Sequence, residues 1–497
     1  MGSAAQQHIG DIPPKDGLAA AMRAVTRRHA AFTYTQAVGL ISEEFRMEQS
    51  RAKTEFNNLV AAGLLVTDGT RLNDGEIVYS TMEMVRLHTE MLSMVRELRA
   101  GSCNFMGGDR KEAFMQIVRA GLGAKKREAD KLKAIRCFLG DEKFALLSAP
   151  PGSGKLTVAA WTAAGWLYGD DRRQVIAAGP GREIAEQLAG RIVKAAAGAG
   201  IHNTEARLVP LSLDELLESP GKLGPQCLVM LDEAQIPDLC QYHAFLALCR
   251  MQGVSLRVFG DRHQEKPQGP GMSFMAMARL FPGPPLQGFF RQQGALDKAA
   301  CEALWGEKPK GHLAVRFYQD QDNLHFRDTG AMADNVVAEA RKMTEKVRKA
   351  AIEAAREDAR LAGREFSAEE IRTVIGDIVV PVLVQSAEAR AAVLAVAPSW
   401  PVFTAVEARG KNLDHGAIVM ITEPTGPEQY LNLISRHKPP GGCKVVVDKG
   451  VYATPEALEK AISCPVVKLN PPSDVRLAEP AMTPHAPSVQ GVGGLSA

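Results

Sequence analysis

Apolar side chains near the start of the chain recur at helical intervals, from Leu18 through Met22 and Val25, and two further helical patterns fill residues 35–66. The second covers residues 50–62, sets Phe56, Leu59 and Val60 on one face and stops at Gly63. Leu64-Leu65-Val66, turns at Asp68-Gly69 and Asn73-Asp74-Gly75, and Ile77-Val78-Tyr79 together predict a hairpin. Helix, helix, hairpin is the order of a winged helix, which can set a helix on nucleic acid. The second helix has few basic residues, so an accessory domain is expected here. Residues 82–99 continue as a helix until the glycine-rich stretch 101–108 breaks it and marks a boundary.

From Phe144 onward the pattern changes to short apolar runs alternating with helical segments. The runs fall at 145–148, 175–178, 227–231 and 256–260, then at 379–384, 402–404, 417–421 and 444–447. Such alternation predicts an α/β class with two parallel-sheet units. Residues 332–372, dense in both signs of charge, predict a solvated helix or helix pair joined to the second unit. The predicted organisation is a flexible arm (1–14), a helical, winged-helix-like accessory domain (15–108), a first α/β domain (109–290), a second (291–469) and a disordered Pro-, Gly- and Ser-rich tail (470–497).

Composition narrows the function classes. With 497 residues, 45% hydrophobic and 23% charged, the chain can build several cores and is not intrinsically disordered as a whole. A formal net charge of +2 excludes a polycation, so any nucleic-acid affinity must come from local patches. One candidate patch is 110–136, with nine Lys or Arg against three acids. Eight cysteines without a C-x-x-C pair argue against zinc and for free, buried thiols. No run approaches the roughly 18 apolar residues of a membrane span, so no membrane partner is expected, and an intracellular, cytoplasmic location is.

The chemistry starts at the first apolar run. Phe144 to Ser148 read as a strand, Ala149-Pro150-Pro151-Gly152-Ser153-Gly154-Lys155 as a loop, and Leu156 to Leu167 as a helix, which is the context of a P-loop. Backbone N–H groups of Pro151-flanked Gly152, Ser153 and Gly154 can close around phosphate oxygens, the helix presents its positive end, and Lys155 reaches the terminal phosphates. Ala149 stands where the first glycine of the pattern belongs, and Leu156 where a hydroxyl should hold Mg²⁺, with Thr157 one position out of register. Seventy-seven positions after Lys155 the strand Cys227 to Leu231 ends in Asp232-Glu233-Ala234-Gln235, the place of a Walker B pair. Asp232, with Thr157, would hold Mg²⁺, and Glu233 would polarise the attacking water.

A third strand runs into Gly260-Asp261-Arg262-His263-Gln264, and here the chain resembles superfamily 1 helicases, whose third motif has a Gly-Asp-x-x-Gln core. The resemblance continues in both directions. Val175 to Glu183, with Gly179, Pro180 and Arg182, resembles the motif that touches the nucleic-acid backbone; Phe289-Phe290-Arg291-Gln292 resembles the motif whose arginine reaches the γ-phosphate. Residues 404–414, with Gly410-Lys411, resemble motif V, although Arg409 replaces the usual glutamine, and residues 430–438 resemble motif VI with Arg436 as a second arginine finger. The Arg291-Gln292 pair and Ser435-Arg436-His437-Lys438 are most similar to RecD-like helicases, in particular the helicase half of conjugative relaxases; the relaxase half is not visible.

The resemblance implies two RecA-like P-loop NTPase domains that bind ATP with Mg²⁺ in the cleft between them. Lys155, Asp232, Glu233 and Gln264 would come from the first domain and Arg291 and Arg436 from the second, with Gly410 and the loop 151–157 (Pro151, Gly152, Ser153, Gly154, Lys155, Leu156, Thr157) against the nucleotide. The implied partner is single-stranded nucleic acid, DNA before RNA, with conjugation or replication machinery as the wider setting. Two other classes fit part of the pattern: a single-strand-binding module without ATP turnover, motivated by Ala149, Leu156 and Arg409, and a viral-type superfamily 1 RNA helicase.

Overall fold

The structure is a computed structural model that describes residues 21–463 apart from 24, 68, 71–75, 124–127, 265, 287, 289–294, 307, 377, 406, 409–412, 414 and 436–442. The expected arm and tail, together with Arg291, Gly410 and Arg436, lie outside the described residues. The chain divides into two compact units, the first centred on 31–85 and the second on 86–470.

In the first unit the helices Tyr34–Phe45 and Gln49–Ala61 pack beside an antiparallel sheet of β1 (Ala31–Thr33), β2 (Leu65–Val66) and β3 (Val78–Thr81), ordered β1-β3-β2. The winged-helix order expected from the pattern is present, with β1 as an addition. A capping box fixes the first helix: Gln36 N–H donates to Thr33 Oγ1 at 3.3 Å and Thr33 N–H to Gln36 Oε1 at 3.0 Å. Phe56 is the hub of the core, edge-on to Tyr34 and Tyr79 at 5.0 and 5.2 Å. Val60, expected on the buried face with Phe56 and Leu59, is instead 39% exposed. The helix buries Ala52, Phe56 and Leu59, a stripe too narrow to include it.

The second unit holds two parallel sheets of five strands each. The first comprises β4 (Phe144–Ser148), β5 (Gln174–Gly179), β6 (Leu208–Ser212), β7 (Cys227–Leu231) and β8 (Ser255–Gly260), in spatial order β4-β8-β7-β5-β6. The second comprises β9 (Leu324–Arg327), β10 (Val382–Val384), β11 (Val402–Thr404), β12 (Ala417–Ile421) and β13 (Cys443–Asp448), in order β11-β10-β12-β13-β9. Counted along the chain within each set, both sheets read 1-5-4-2-3, so the second repeats the topology of the first.

Eight strands were expected in these two sheets and ten are present among the described residues. The two extra ones, β6 and β9, are edge strands. Leu208–Ser212 carries Pro210, which an edge tolerates because one side of the strand needs no donors, and Leu324–Arg327 carries His325 and Arg327. Neither has the wholly buried run that makes β7 and β8 legible.

The charged stretch 332–372 also differs from a purely solvated helix. It forms two helices, Met332–Leu361 and Ala368–Gly376, and the first half of the longer one buries Met332, Val336, Val337, Ala340, Met343 and Val347 in the core of the second sheet, against Val380, Val382 and Val384. Its charges occupy the remaining face.

Arg257, in β8, is fully buried. Its guanidinium donates to Phe138 O at 3.0 Å and Gly140 O at 2.9 Å, so the cost of burying it is offset by satisfying the carbonyls at the end of the helix Ala129–Phe138.

Candidate nucleotide site at the edge of the first sheet

Parallel pairing brings the ends of four strands to one edge, with Ser148 opposite Gly260 and Ala178 opposite Leu231. In open parallel sheets the crevice beyond the carboxyl ends of the strands is where ligands sit. The loop after β4, Asp232-Glu233 after β7, Asp261 and Gln264 after β8, and Gly179-Pro180 after β5 all meet this edge.

The loop 149–155 has the backbone of a phosphate cradle. Ala149 is fully buried, its N–H extends the ladder to Gly260 O at 3.1 Å, and it does not have a left-handed φ, so a glycine is not required there. The left-handed turns fall at Gly152 (φ 72°) and Gly154 (φ 96°). A Cβ on Gly154 would also lie 2.5 Å from Lys131 Cε, whose ammonium is paired with Glu128 at 2.7 Å behind the loop.

No side chain caps the helix Lys155–Gly169 at Gly154, which leaves its positive end to an anion in the loop. Ser153 Oγ is buried without a hydrogen-bond partner among the described residues. Lys155 Nζ donates to the loop carbonyls of Ala149 (2.6 Å) and Pro150 (3.0 Å). An uncapped helix start, an orphan hydroxyl and a lysine held over the loop fit a polyphosphate.

Asp232 is buried at the end of β7, where its N–H donates to Ala178 O at 3.0 Å. Burial, and then the neighbouring Glu233, push its carboxyl up to about 7, with Lys155 opposing. A cation beside it would favour the ionised form. Glu233 sits at φ 49°, a left-handed conformation that costs a non-glycine residue on the order of 1–3 kcal/mol. The next residue is pinned on both sides: Ala234 N–H donates to Phe259 O at 3.0 Å, and Ala234 O accepts from the buried Tyr242 hydroxyl at 2.5 Å.

Gln264 is buried in the turn after β8 and lines a small crevice with Gln235, Arg262, Lys266, Met272 and Phe274. Gly260 permits the close approach of these elements, since a Cβ there would lie 2.8 Å from both Gln235 Oε1 and Phe274 Cζ.

The Mg²⁺ ligand set is spare. Among the described residues no three His, Cys, Asp or Glu side chains gather as a metal cluster. Mg²⁺ usually takes one or two carboxylates plus phosphate and water, and Asp232 fits that mode. Leu156 offers no oxygen; half-buried, it packs against the core of the first sheet, and Thr157 beside it is half-buried as well. Of the expected nucleic-acid residues, Gly179 is buried and Pro180 half-exposed at the same edge. The Arg182 guanidinium is shared between Glu186 at 3.1 Å and Glu215 at 2.8 Å.

The sequence left two groups without a role. Gln235 follows the Asp-Glu pair and donates to Glu233 Oε2 at 2.6 Å. Asp261, fully buried, accepts at Oδ1 from Trp305 Nε1 at 2.9 Å. Both stand inside motifs visible in the sequence, which is the signal that marks them.

A family model described as an AAA domain matches residues 127–329. No curated protein matches the chain. Among solved structures, the complex of Arterivirus nonstructural protein 10, a helicase, with DNA is 12% identical, with 63% of each chain covered and a TM-score of 0.35. The PRRSV helicase is 13% identical, with 61% of this chain and 52% of that chain covered and a TM-score of 0.31. The chain spans less than two thirds of the length of these helicases. No helix of the described residues is long and apolar enough to cross a membrane. The matched span begins before the phosphate loop and ends just past β9, so it takes in the whole of the first parallel sheet.

Proposed function

We propose that this chain is an ATP-dependent, superfamily 1 helicase or translocase acting on single-stranded nucleic acid, DNA before RNA. The observation that carries it is the convergence of Lys155, Asp232, Glu233, Asp261 and Gln264 at one sheet edge, next to a second sheet of identical strand order.

In this assignment the Gly152–Gly154 backbone and Lys155 hold the β- and γ-phosphates, leaving the two carbonyls that Lys155 now contacts. Glu233 accepts the proton of the attacking water, and Gln264 faces the γ-phosphate. Asp232, with Thr157 nearby, would hold Mg²⁺, which would supply charge neutralisation on the phosphates. Arg291 and Arg436 complete the site from the second domain, so turnover follows closure. Gly410 contributes to the nucleotide side of that domain, and Gly179, Pro180 and Arg182 follow the strand backbone, Arg182 by exchanging a carboxylate for a phosphate. The RecD-like motif forms support a role with conjugation or replication machinery in the cytoplasm.

A binding module without turnover is the second assignment, favoured by Leu156, which fills the hydroxyl position with a side chain packed on the core. ATPase activity measured alone, with single-stranded DNA and with single-stranded RNA separates the possibilities. Stimulation by DNA supports the helicase assignment, preference for RNA the viral-type alternative, and strand binding with no turnover the module.

A further inference from the structure

We propose that Trp305 is a positioning residue for hydrolysis, tying the Glu233 carboxylate to the second sheet through Gln235 and Asp261. This rests on the ATPase assignment above and goes beyond it.

Three hydrogen bonds run in series. Gln235 Nε2 donates to Glu233 Oε2 at 2.6 Å, Asp261 N–H donates to Gln235 Oε1 at 3.1 Å, and Trp305 Nε1 donates to Asp261 Oδ1 at 2.9 Å. Asp261 Oδ1 also accepts from His263 N–H at 3.0 Å, which fixes the carboxylate as well as the peptide. Gln235 and Asp261 are both buried, so water cannot readily replace a broken member.

The far end of the series belongs to the second sheet. Trp305 comes directly after the helix Ala295–Leu304 and packs against the core built on β9, β12 and β13, while its ring meets His263 edge-on at 5.0 Å. A second polar tie runs the same way: Lys266 Nζ lies 2.9 Å from Glu428 Oε1, both side chains about 15% exposed, at the start of the helix Pro427–Ile434. A shift of the second sheet therefore pulls on Asp261 and Lys266, and through Asp261 and Gln235 on the carboxylate assigned to take a proton from water. Gln235 has a single side-chain amide, so its hold on Glu233 and its acceptance from Asp261 are two ends of one rigid plane.

Trp305→Phe keeps the packing and removes the N–H, and Gln235→Leu removes both amide contacts. Each variant should lower the kcat of strand-stimulated ATP turnover about tenfold with the KM for ATP within about twofold, and the double variant should be no worse than the worse single one. Wild-type tryptophan emission should change on adding a non-hydrolysable MgATP analogue; the change should vanish in Trp305→Phe, and in Gln235→Leu although the analogue still binds by calorimetry. An unaltered kcat in Trp305→Phe, losses that add in the double variant, or an emission change that survives Gln235→Leu overturns the link while leaving the ATPase assignment intact. If the wild-type protein binds no nucleotide by calorimetry, the assignment itself falls, and the link with it.

Discussion

The two parallel sheets share one strand order but not one set of strand ends. In the first, β4 leads into the loop 149–155 with its two left-handed glycines, and β7 ends in Asp232-Glu233. At the matching places in the second, β9 leads into Asp328-Thr329-Gly330-Ala331, where Thr329 Oγ1 donates to Asp448 Oδ1 at 2.6 Å, and β12 ends in Thr422-Glu423. There Gln385 Oε1 accepts from the N–H groups of Thr422 and Glu423 at 2.7 and 2.9 Å, and Gln385 Nε2 donates to Glu423 O at 3.1 Å, which stitches β10 to β12. The same edge that lies open to a ligand in the first sheet is closed by a side chain in the second. Topology supplies a crevice; the residues at the strand ends decide whether it is a site or a joint.

The largest expected effect tests the open edge directly. Lys155→Ala should abolish ATP turnover, by a factor of about a thousand or more, whereas Thr329→Val in the corresponding loop of the second sheet should leave it within about threefold. Equal losses in a steady-state ATPase assay would mean that both edges carry chemistry.

Next come the arginines expected to join the two halves. Arg291→Ala and Arg436→Ala should each reduce kcat by about a hundredfold or more while nucleotide affinity, read by calorimetry, stays within a few-fold. Affinity falling in step with rate would assign them to ground-state binding.

A smaller effect is expected at the stitched edge, where Gln385→Ala should cost about 1–3 kcal/mol of stability in denaturant unfolding and change turnover less than threefold. A variant of normal stability that no longer turns over ATP would break the distinction between site and joint.

The smallest concerns Leu156, whose side chain packs on the core of the first sheet. Leu156→Thr should lower the Mg²⁺ concentration for half-maximal turnover a few-fold, at about 1–2 kcal/mol of stability from lost packing. An unchanged Mg²⁺ dependence would show that Asp232, phosphate and water already satisfy the ion.

The interior of both sheets was legible because its strands are unbroken apolar runs: Cys227 to Leu231 and Ala417 to Ile421 are buried at every position. The edges were not, since a strand such as Leu208–Ser212, with Pro210 and three of its five side chains partly exposed, shares its composition with a loop. At the site, the motifs carried the residue types, and the structure supplied what depends on direction. That Ala149 is harmless is a result of its N–H meeting Gly260 O, and that Gln235 faces Glu233 is a result of the turn after β7; neither is a property of spacing.

The lysine at the head of the phosphate loop has a consequence for recognition. By donating to the carbonyls of Ala149 and Pro150, Lys155 braces the curvature of the loop from within. On the proposed assignment an incoming nucleotide would meet a receptor that is already shaped, at little entropic cost, but would have to out-compete two internal acceptors for the same ammonium group. Anions with a single charge would gain little from that exchange and a triphosphate most, so on that assignment the loop would discriminate by the charge density of its guest before any base or sugar is read.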